Sequence, residues 1–498
     1  MKDVNLPKWA SDGLRGHQTD AIEAVVSAYR DGAEAVVLDA PTGSGKTLIA
    51  EVVRQRMKWE QTAYICTDKA LQDQFAKDFG YANVAKGRAN YHVGGGKTAD
   101  DCTGKICNLC TPTESCPYRI AKQNALEGQL ACLNTSYMLT NFPFTRQWRK
   151  DGLIFDECDM LPTQVLQAGE FRFTTRQSNK LQLEIPKSSN KAHIKRYLKQ
   201  FITKARSEVN YLKDPQEKRK LSGKVTLATQ ILAMEDEDWS RVMKGHNGSL
   251  ILKPLVVDGE RYLWKHAEQF LLMSGSVVDA EGLMRVDLDF DGDIAHIEVP
   301  MTFPKENRPI HVPKGNLIPM GYGKDDLPGM AANIRTVMDN HPDWKILVHC
   351  VSYARAKQLH ELVGEGLIYD NAISKQSVLD TFRAVDGGVL FAASMDRGVD
   401  LPEVDCAIVT KIPFAPVKDQ IVMSKKARLT RPQFDDWYKT QAIRTLLQMT
   451  GRHVRSKTDV GVTIILDESA PGLIRSNRRK FPAWWRDAID YATGLEGI

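Results

Sequence analysis

The sequence predicts an α/β protein built from two domains, each on a mostly parallel sheet, and three observations carry that expectation. Short apolar, partly β-branched runs recur through both halves: "EAVVLDAP", "TAYICT", "LIFDE" and "QFLLMSGS" in the first, "WKILVHCVS", "GGVLFAASMDRGVD", "CAIVTKIPF" and "VTIILD" in the second. Stretches with helical spacing lie between them, which is the alternation of parallel α/β architecture. The 498 residues, 42% hydrophobic and 26% charged, are also enough for two or three cores.

The N-terminus "MKDVNLPKWASDGLRGHQ" lacks the apolar stretch of a secretory signal, and nowhere do eighteen or so apolar residues run together. A cytosolic protein with no membrane partner is expected. Cys66, Cys132, Cys158, Cys350 and Cys406 sit beside apolar residues and read as buried free thiols.

The first strand runs into "APTGSGKT". Gly43 and Gly45 allow the backbone N–H groups of Thr42, Gly43, Ser44 and Gly45 to face an anion at a helix N-terminus. Lys46 can reach the β and γ phosphates of a nucleotide, and the Thr47 hydroxyl can take one position on Mg2+. Ala40 stands where the usual phosphate-loop pattern begins with glycine. In "GLIFDECDML" another strand ends on two acids: Asp156 is the candidate metal-side carboxylate and Glu157 the group that orients or deprotonates water. Late in the chain, "LLQMTGRHVRSK" presents Gln448, Arg452 and Arg455. Arg452 and Arg455 are three apart, so on a helix they share a face and can point at one anion.

Two stretches stay open on residue chemistry alone. Cys102, Cys107, Cys110 and Cys116 occur within fifteen positions as C-x4-C-x2-C-x5-C, which suits tetrahedral zinc as well as a [4Fe–4S] cube. Between Arg176 and Lys224 basic residues outnumber acidic ones by ten, 14 against 4, including Lys195, Arg196 and Lys199. That run is either a path for a phosphate backbone or a solvated helix face.

In order and spacing, residues 14 to 467 resemble a superfamily 2 helicase of the XPD/DinG group, an iron–sulfur family. "LRGHQ" is similar to its adenine-sensing element, which implies Arg15 and Gln18 near the base. "TDKALQDQF" from Thr67 resembles motif Ia, a contact to single-stranded DNA. "DECD" stands for DEAH, "MSGSVVD" for the motif coupling hydrolysis to strand movement, "LVHCVSY" for motif IV, "DRGVDLP" with Gly398 and Asp400 for motif V, and "QMTGRHVR" for motif VI. Asp159 replaces the usual His, Gly275 and Ser276 replace Ala and Thr, and Asp396 with Arg397 replaces a common Trp-Glu pair.

The resemblance implies two RecA-like motor domains with an Fe–S cluster insertion and a helical arch insertion in the first. It sets motor domain 1 at 1–97, 126–162 and 251–299, the cluster insertion at 98–125, the arch at 163–250 and motor domain 2 at 300–498. It favours [4Fe–4S] over zinc on the four cysteines, and ATP with Mg2+ at the phosphate loop. The arginines of motor domain 2 would close over the nucleotide. The implied activity is a 5′-to-3′ ATP-dependent DNA helicase acting on single-stranded and forked DNA in repair or replication. A monomer in a bacterial or phage-infected cytosol is expected. Competing readings are a translocase that remodels protein–DNA or RNA–DNA complexes without processive unwinding, and a non-enzymatic, metal-stabilised nucleic-acid binding module. The tail "FPAWWRDAIDYATG" reads as an amphipathic helix packed on motor domain 2.

Overall fold

A computed structural model describes residues 6–7, 10, 13–93, 96–102, 116–242, 249–321, 323, 325–369, 374–393, 404–450, 454 and 458–498. Two seven-stranded sheets, parallel throughout, form two lobes. In lobe 1 the strand order is Ile294–Glu298, Ala35–Asp39, Gln269–Ser274, Gly152–Asp156, Thr62–Cys66, Leu130–Asn134 and Asn83–Val84. In lobe 2 it is Leu367–Tyr369, Gly388–Ala392, Lys345–His349, Cys406–Val409, Val462–Ile465, Ile310–His311 and Ile489–Asp490.

The continuous apolar runs of the sequence are explained by burial on both faces, as parallel sheets require. All five residues of Ala35–Asp39 are buried. Val36 and Leu38 pack with the helix Gly16–Arg30 and the helix Lys46–Met57, while Ala35 and Val37 face a second cluster containing Trp148 and Phe155. Strands Leu130–Asn134 and Ile294–Glu298 were not among the apolar runs singled out above. The first sits between two helices, and the second is a half-exposed edge whose His296 and Glu298 interrupt its apolar character.

The basic run folds into an antiparallel helical hairpin, Lys191–Tyr211 and Pro215–Ala233. Asn190 caps the first helix by accepting from the N–H groups of Ala192 (2.9 Å) and His193 (3.2 Å), and Asp214 caps the second by accepting from Gln216 N–H at 2.9 Å. Ile194, Tyr197, Leu198, Phe201 and Ala205 form the buried stripe, against Val225, Ala228 and Ile231. A three-stranded antiparallel sheet, Phe171–Phe173, Leu250–Pro254 and Trp239–Arg241, completes this unit and runs past residue 250, where the sequence reading draws its border.

The unit touches both neighbours, lobe 1 through the hairpin and lobe 2 through the strand Trp239–Arg241 and the turn before it. Arg219 Nη1 donates to the Cys102 carbonyl at 2.6 Å, its Nη2 lies 3.0 Å from Asp100 Oδ1, and Gln216 Nε2 donates to Asp101 Oδ1 at 2.8 Å. Toward lobe 2, Arg428 Nη2 donates to Asp238 Oδ1 at 2.6 Å and Gln420 Nε2 to the Arg241 carbonyl at 3.0 Å.

The tail departs from the expected helix. Only Ala483–Arg486 is helical, and Ile489–Asp490 then extends to pair in parallel with Ile310–His311 at the sheet edge. Trp485 is buried and donates through Nε1 to Thr450 Oγ1 at 2.8 Å, which anchors the turn. Ladder bonds from Ile310 N–H to the Ala488 carbonyl (2.9 Å) and from Val312 N–H to the Asp490 carbonyl (2.8 Å) then win over continued helix.

Candidate active site

The phosphate loop lies at the carboxyl end of strand Ala35–Asp39, the edge where open parallel sheets bind nucleotides. Gly43 and Gly45 have φ of 79° and 82°, left-handed values that favour glycine. At Gly45 a Cβ would also collide with the Gln18 amide nitrogen. Gln18 is buried, and donates to the Ser44 carbonyl at 3.0 Å while its own carbonyl accepts from Arg15 N–H at 2.9 Å. His17 Nε2 lies 3.1 Å from the same Ser44 oxygen. Both side chains thus tie the helix Gly16–Arg30 to the loop, a role of His17 that its place in "LRGHQ" could have suggested and that was missed. The Arg15 side chain is exposed beside them, Thr42 and Gly43 are exposed in the loop, and Thr47 is half-buried in the first turn of the following helix.

Lys46 Nζ donates to the Ala40 carbonyl at 3.3 Å and stands 4.0 Å from Glu157 Oε1. Glu157 occupies a left-handed conformation at φ 52°, a strain of the order of 1–3 kcal/mol that a functional position tolerates. It turns the carboxylate back toward Lys46. Burial raises the Asp156 carboxyl above its usual range, with Asp159 adding repulsion and Lys46 opposing the shift. A buried carboxylate of this kind gains from a cation, so Asp156 and Thr47 fit a magnesium ion.

A second buried acid stands behind the loop. Asp39 is pushed up to about 7, first by burial and then by Glu298, with Lys46 opposing, and its Oδ1 has no hydrogen-bond partner. The folded chain therefore holds this proton more tightly than the unfolded chain. The associated stability is present below about pH 4 and is lost as the pH rises through 7. Asp39→Asn, which keeps the shape, is expected to raise Tm by a few degrees at pH 8 and to leave it unchanged at pH 4, as read in paired thermal melts. Equal shifts at both pH values would disprove the assignment.

From the acid pair a hydrogen-bond network crosses to lobe 2. Ser274 Oγ lies 2.8 Å from Asp159 Oδ1, 3.4 Å from Glu157 Oε2 and 3.3 Å from Ser276 Oγ. Gln448 Nε2 donates to Ser276 Oγ at 2.9 Å and to Asp159 Oδ2. Two of the departures from the family pattern take part here: Asp159 accepts from both lobes and Ser276 receives the Gln448 amide. Gly275 also has a packing reason, since a Cβ there would lie 3.3 Å from the Ala40 carbonyl oxygen.

Residues 334–488 match a family model described as a helicase C-terminal domain, and residues 12–183 one described as the res subunit of type III restriction enzymes. A solved XPD helicase superposes over 94% of this chain and 98% of its own, with TM-score 0.65 at 17% identity. Xpd4 of S. tokodaii superposes over 96% and 100%, with TM-score 0.66 at 14% identity. The chain has the fold of the XPD helicases.

Curated relatives of this chain include the Caenorhabditis elegans regulator of telomere elongation helicase 1 homolog, 28% identical over 151 residues, which are 27% of this chain and 14% of that protein. The Culex quinquefasciatus homolog is 31% identical over 94 residues, 16% of this chain and 10% of that protein. The match thus spans about a seventh of these relatives' length or less. Coming from a nematode and a mosquito, they give no support to the expectation of a bacterial or phage-infected cytosol. Among the described residues no helix is long and apolar enough to cross a membrane.

Of the remaining sequence-derived sites, Thr67 follows strand Thr62–Cys66, where its carbonyl faces Gln164 Nε2 at 3.5 Å. Arg196 and Lys199 are exposed on the hairpin, whereas Lys195 pairs with Asp236 at 2.7 Å. Cys102 and Cys116 are both buried in one cluster on the Trp148 face of the lobe 1 sheet, and Cys116 stands at the N-cap position of the helix Pro117–Glu127. Cys107, Cys110, Gly398, Asp400, Arg452 and Arg455 lie outside the described residues.

Proposed function

We propose that the chain is an ATP-dependent DNA helicase that moves 5′ to 3′ along single-stranded DNA and separates a duplex ahead of it. The observation that carries this reading is the Glu157–Ser274–Asp159–Gln448 network, which joins the water-positioning acid of lobe 1 to a side chain of lobe 2. A change of charge at the nucleotide is then felt across the cleft.

In this reading the loop N–H groups of residues 42–45 and Lys46 hold the β and γ phosphates, and Arg15 with Gln18 lies near the adenine. Thr47 and Asp156 hold magnesium, which when bound neutralises charge on the phosphates. Glu157 orients water toward the γ-phosphate and takes its proton. Gln448 reports the state of the acids to lobe 2, whose Arg452 and Arg455 stabilise charge on the departing phosphate. Motif V, with Gly398 and Asp400, serves the same nucleotide-dependent closure. Thr67 contacts the tracking strand.

Cys102, Cys107, Cys110 and Cys116 hold a [4Fe–4S] cluster in this proposal, with zinc as the alternative. The two described cysteines fit such a group, being buried together with one at a helix start. Metal ligation would give a short segment the rigidity its own apolar content does not supply. The hairpin, bonded to this module through Arg219, would frame an opening for one strand, with Arg196 and Lys199 on its exposed face. Neutralising Arg196 and Lys199 together is expected to weaken single-strand binding at low salt and to lower the salt slope by about 1–2. Lys195→Gln, whose target is already ion-paired, should change binding less. Filter-binding titrations from low to high salt check this, and an unchanged slope returns the run to a solvated face.

Strand displacement on duplexes with a 5′ or a 3′ single-stranded tail tests the whole reading, using anaerobically purified protein assayed for iron and sulfide. Unwinding confined to the 5′-tailed substrate is expected. Nucleotide turnover stimulated by DNA without any displacement would favour the translocase instead.

A further inference from the structure

The helix that carries Gln448, Arg431–Thr450, is pinned to lobe 1 at two points, and the activity read above uses only one of them. Trp437, Gln441, Arg444 and Gln448 are spaced four, three and four apart, so they share one face over about 16 Å of helix. The opposite side, with Ala442, Ile443, Leu446 and Leu447, is buried in the core of lobe 2. The helix therefore moves with lobe 2 while its polar face reads lobe 1.

At the far end from Gln448 that polar face converges on one carboxylate. Asp287 ends the π-helical turn Gly282–Asp287 and is only 7% exposed. Its Oδ1 accepts from Trp437 Nε1 at 2.8 Å and its Oδ2 from Gln441 Nε2 at 3.1 Å. Lys425 Nζ stands 3.4 Å away and Arg444 Nη1 3.6 Å away, so every one of these donors comes from lobe 2.

Arg444 is under-used. It is 3% exposed, Nη1 donates to Gln441 Oε1 at 3.2 Å, and Nε and Nη2 have no hydrogen-bond partner. It lies one helical turn from Gln448 and lines a cavity of about 100 Å3 whose walls include both Asp287 and Asp159. Buried guanidinium N–H groups without acceptors are costly, and here two carboxylates face the same small space.

We propose that Asp287, acting through Arg444, is a positioning residue for ATP hydrolysis: it seats the helix on lobe 1 so that Gln448 meets Asp159 and Ser276. The inference rests on the helicase reading above and deepens it. Asp287 touches no nucleotide, and its removal shifts the Gln448 helix rather than the phosphate loop. Nucleotide binding should survive while the chemical step suffers, because small displacements of a catalytic constellation cost rate far more than affinity.

The test compares the full-length wild type with Asp287→Asn, Asp287→Glu and Asp287→Ala in single-strand-stimulated phosphate release, thermal melts, and amide hydrogen exchange over residues 437–450. Asp287→Asn is expected to lower kcat on the order of 10–100-fold with KM for ATP within about twofold, and Asp287→Glu to recover part of it. Faster exchange of 437–450 in Asp287→Ala is expected beside an unchanged Tm of the full-length protein. Unaltered kcat, or a fall in kcat accompanied by a rise in KM and a fall in Tm, overturns the positioning role. If wild type hydrolyses no ATP the helicase reading fails by itself, and unchanged exchange in Asp287→Ala would separately overturn the seating.

Discussion

Lys46→Ala is expected to abolish ATP hydrolysis and strand separation together, with a loss of at least about a thousandfold in kcat, roughly 4 kcal/mol of barrier. The size follows from what the ammonium does in the site. Its Nζ lies 3.3 Å from the Ala40 carbonyl and 4.0 Å from Glu157, so one cation serves the phosphate loop and the acid pair at once. It also opposes the upward shift of Asp156 and of Asp39. Alanine therefore removes a phosphate ligand and leaves two buried acids easier to protonate, which weakens the magnesium position as well. Phosphate release in the presence of single-stranded DNA, measured beside displacement of a tailed duplex, checks it. Retention of more than a tenth of either activity would put the nucleotide elsewhere.

Glu157→Gln is expected to separate binding from turnover: nucleotide affinity within a few-fold of wild type, and hydrolysis reduced by about 10²–10⁴, the usual reach of a positioned general base. The amide keeps the shape and can still accept from Ser274, 3.4 Å away, so the network to lobe 2 persists. What it loses is the charge that orients and deprotonates water. A fluorescent nucleotide titration and a phosphate-release assay on the same preparation decide the matter. Normal turnover would end the water-positioning assignment. The two variants are expected to fail differently because, in the proposed mechanism, Lys46 contacts the substrate in its ground state and Glu157 acts on the attacking water.

How much of this was legible beforehand depended on distance along the chain. Residues 40–47 declare a phosphate loop because strand end, glycine turn and helix start are consecutive, and each residue's part is decided within one turn of backbone. The acids 156 and 157 and the buried stripe of the helix Lys191–Tyr211 were readable for the same reason, since strand ends and helical periodicity are local signals. The tail was misread because its helix and strand alternatives differ only in what lies nearby. Trp485 anchored on Thr450 and the free edge of strand Ile310–His311 turn "AIDY" outward as strand.

Sequence alone thus determined the local elements: the strand, glycine turn and helix around Lys46, the two acids at the end of strand Gly152–Asp156, and two α/β lobes on parallel sheets. Tertiary structure decided which residues act together. Gln448 reaches Asp159 across 289 positions, Gln441 and Trp437 converge on Asp287, and Arg219 grips the carbonyl of Cys102 across 117 positions. Local patterning reports only which face of an element is apolar. A bond of about 3 Å between lobes depends on where whole sheets and helices come to rest, and that is settled by packing of the entire chain.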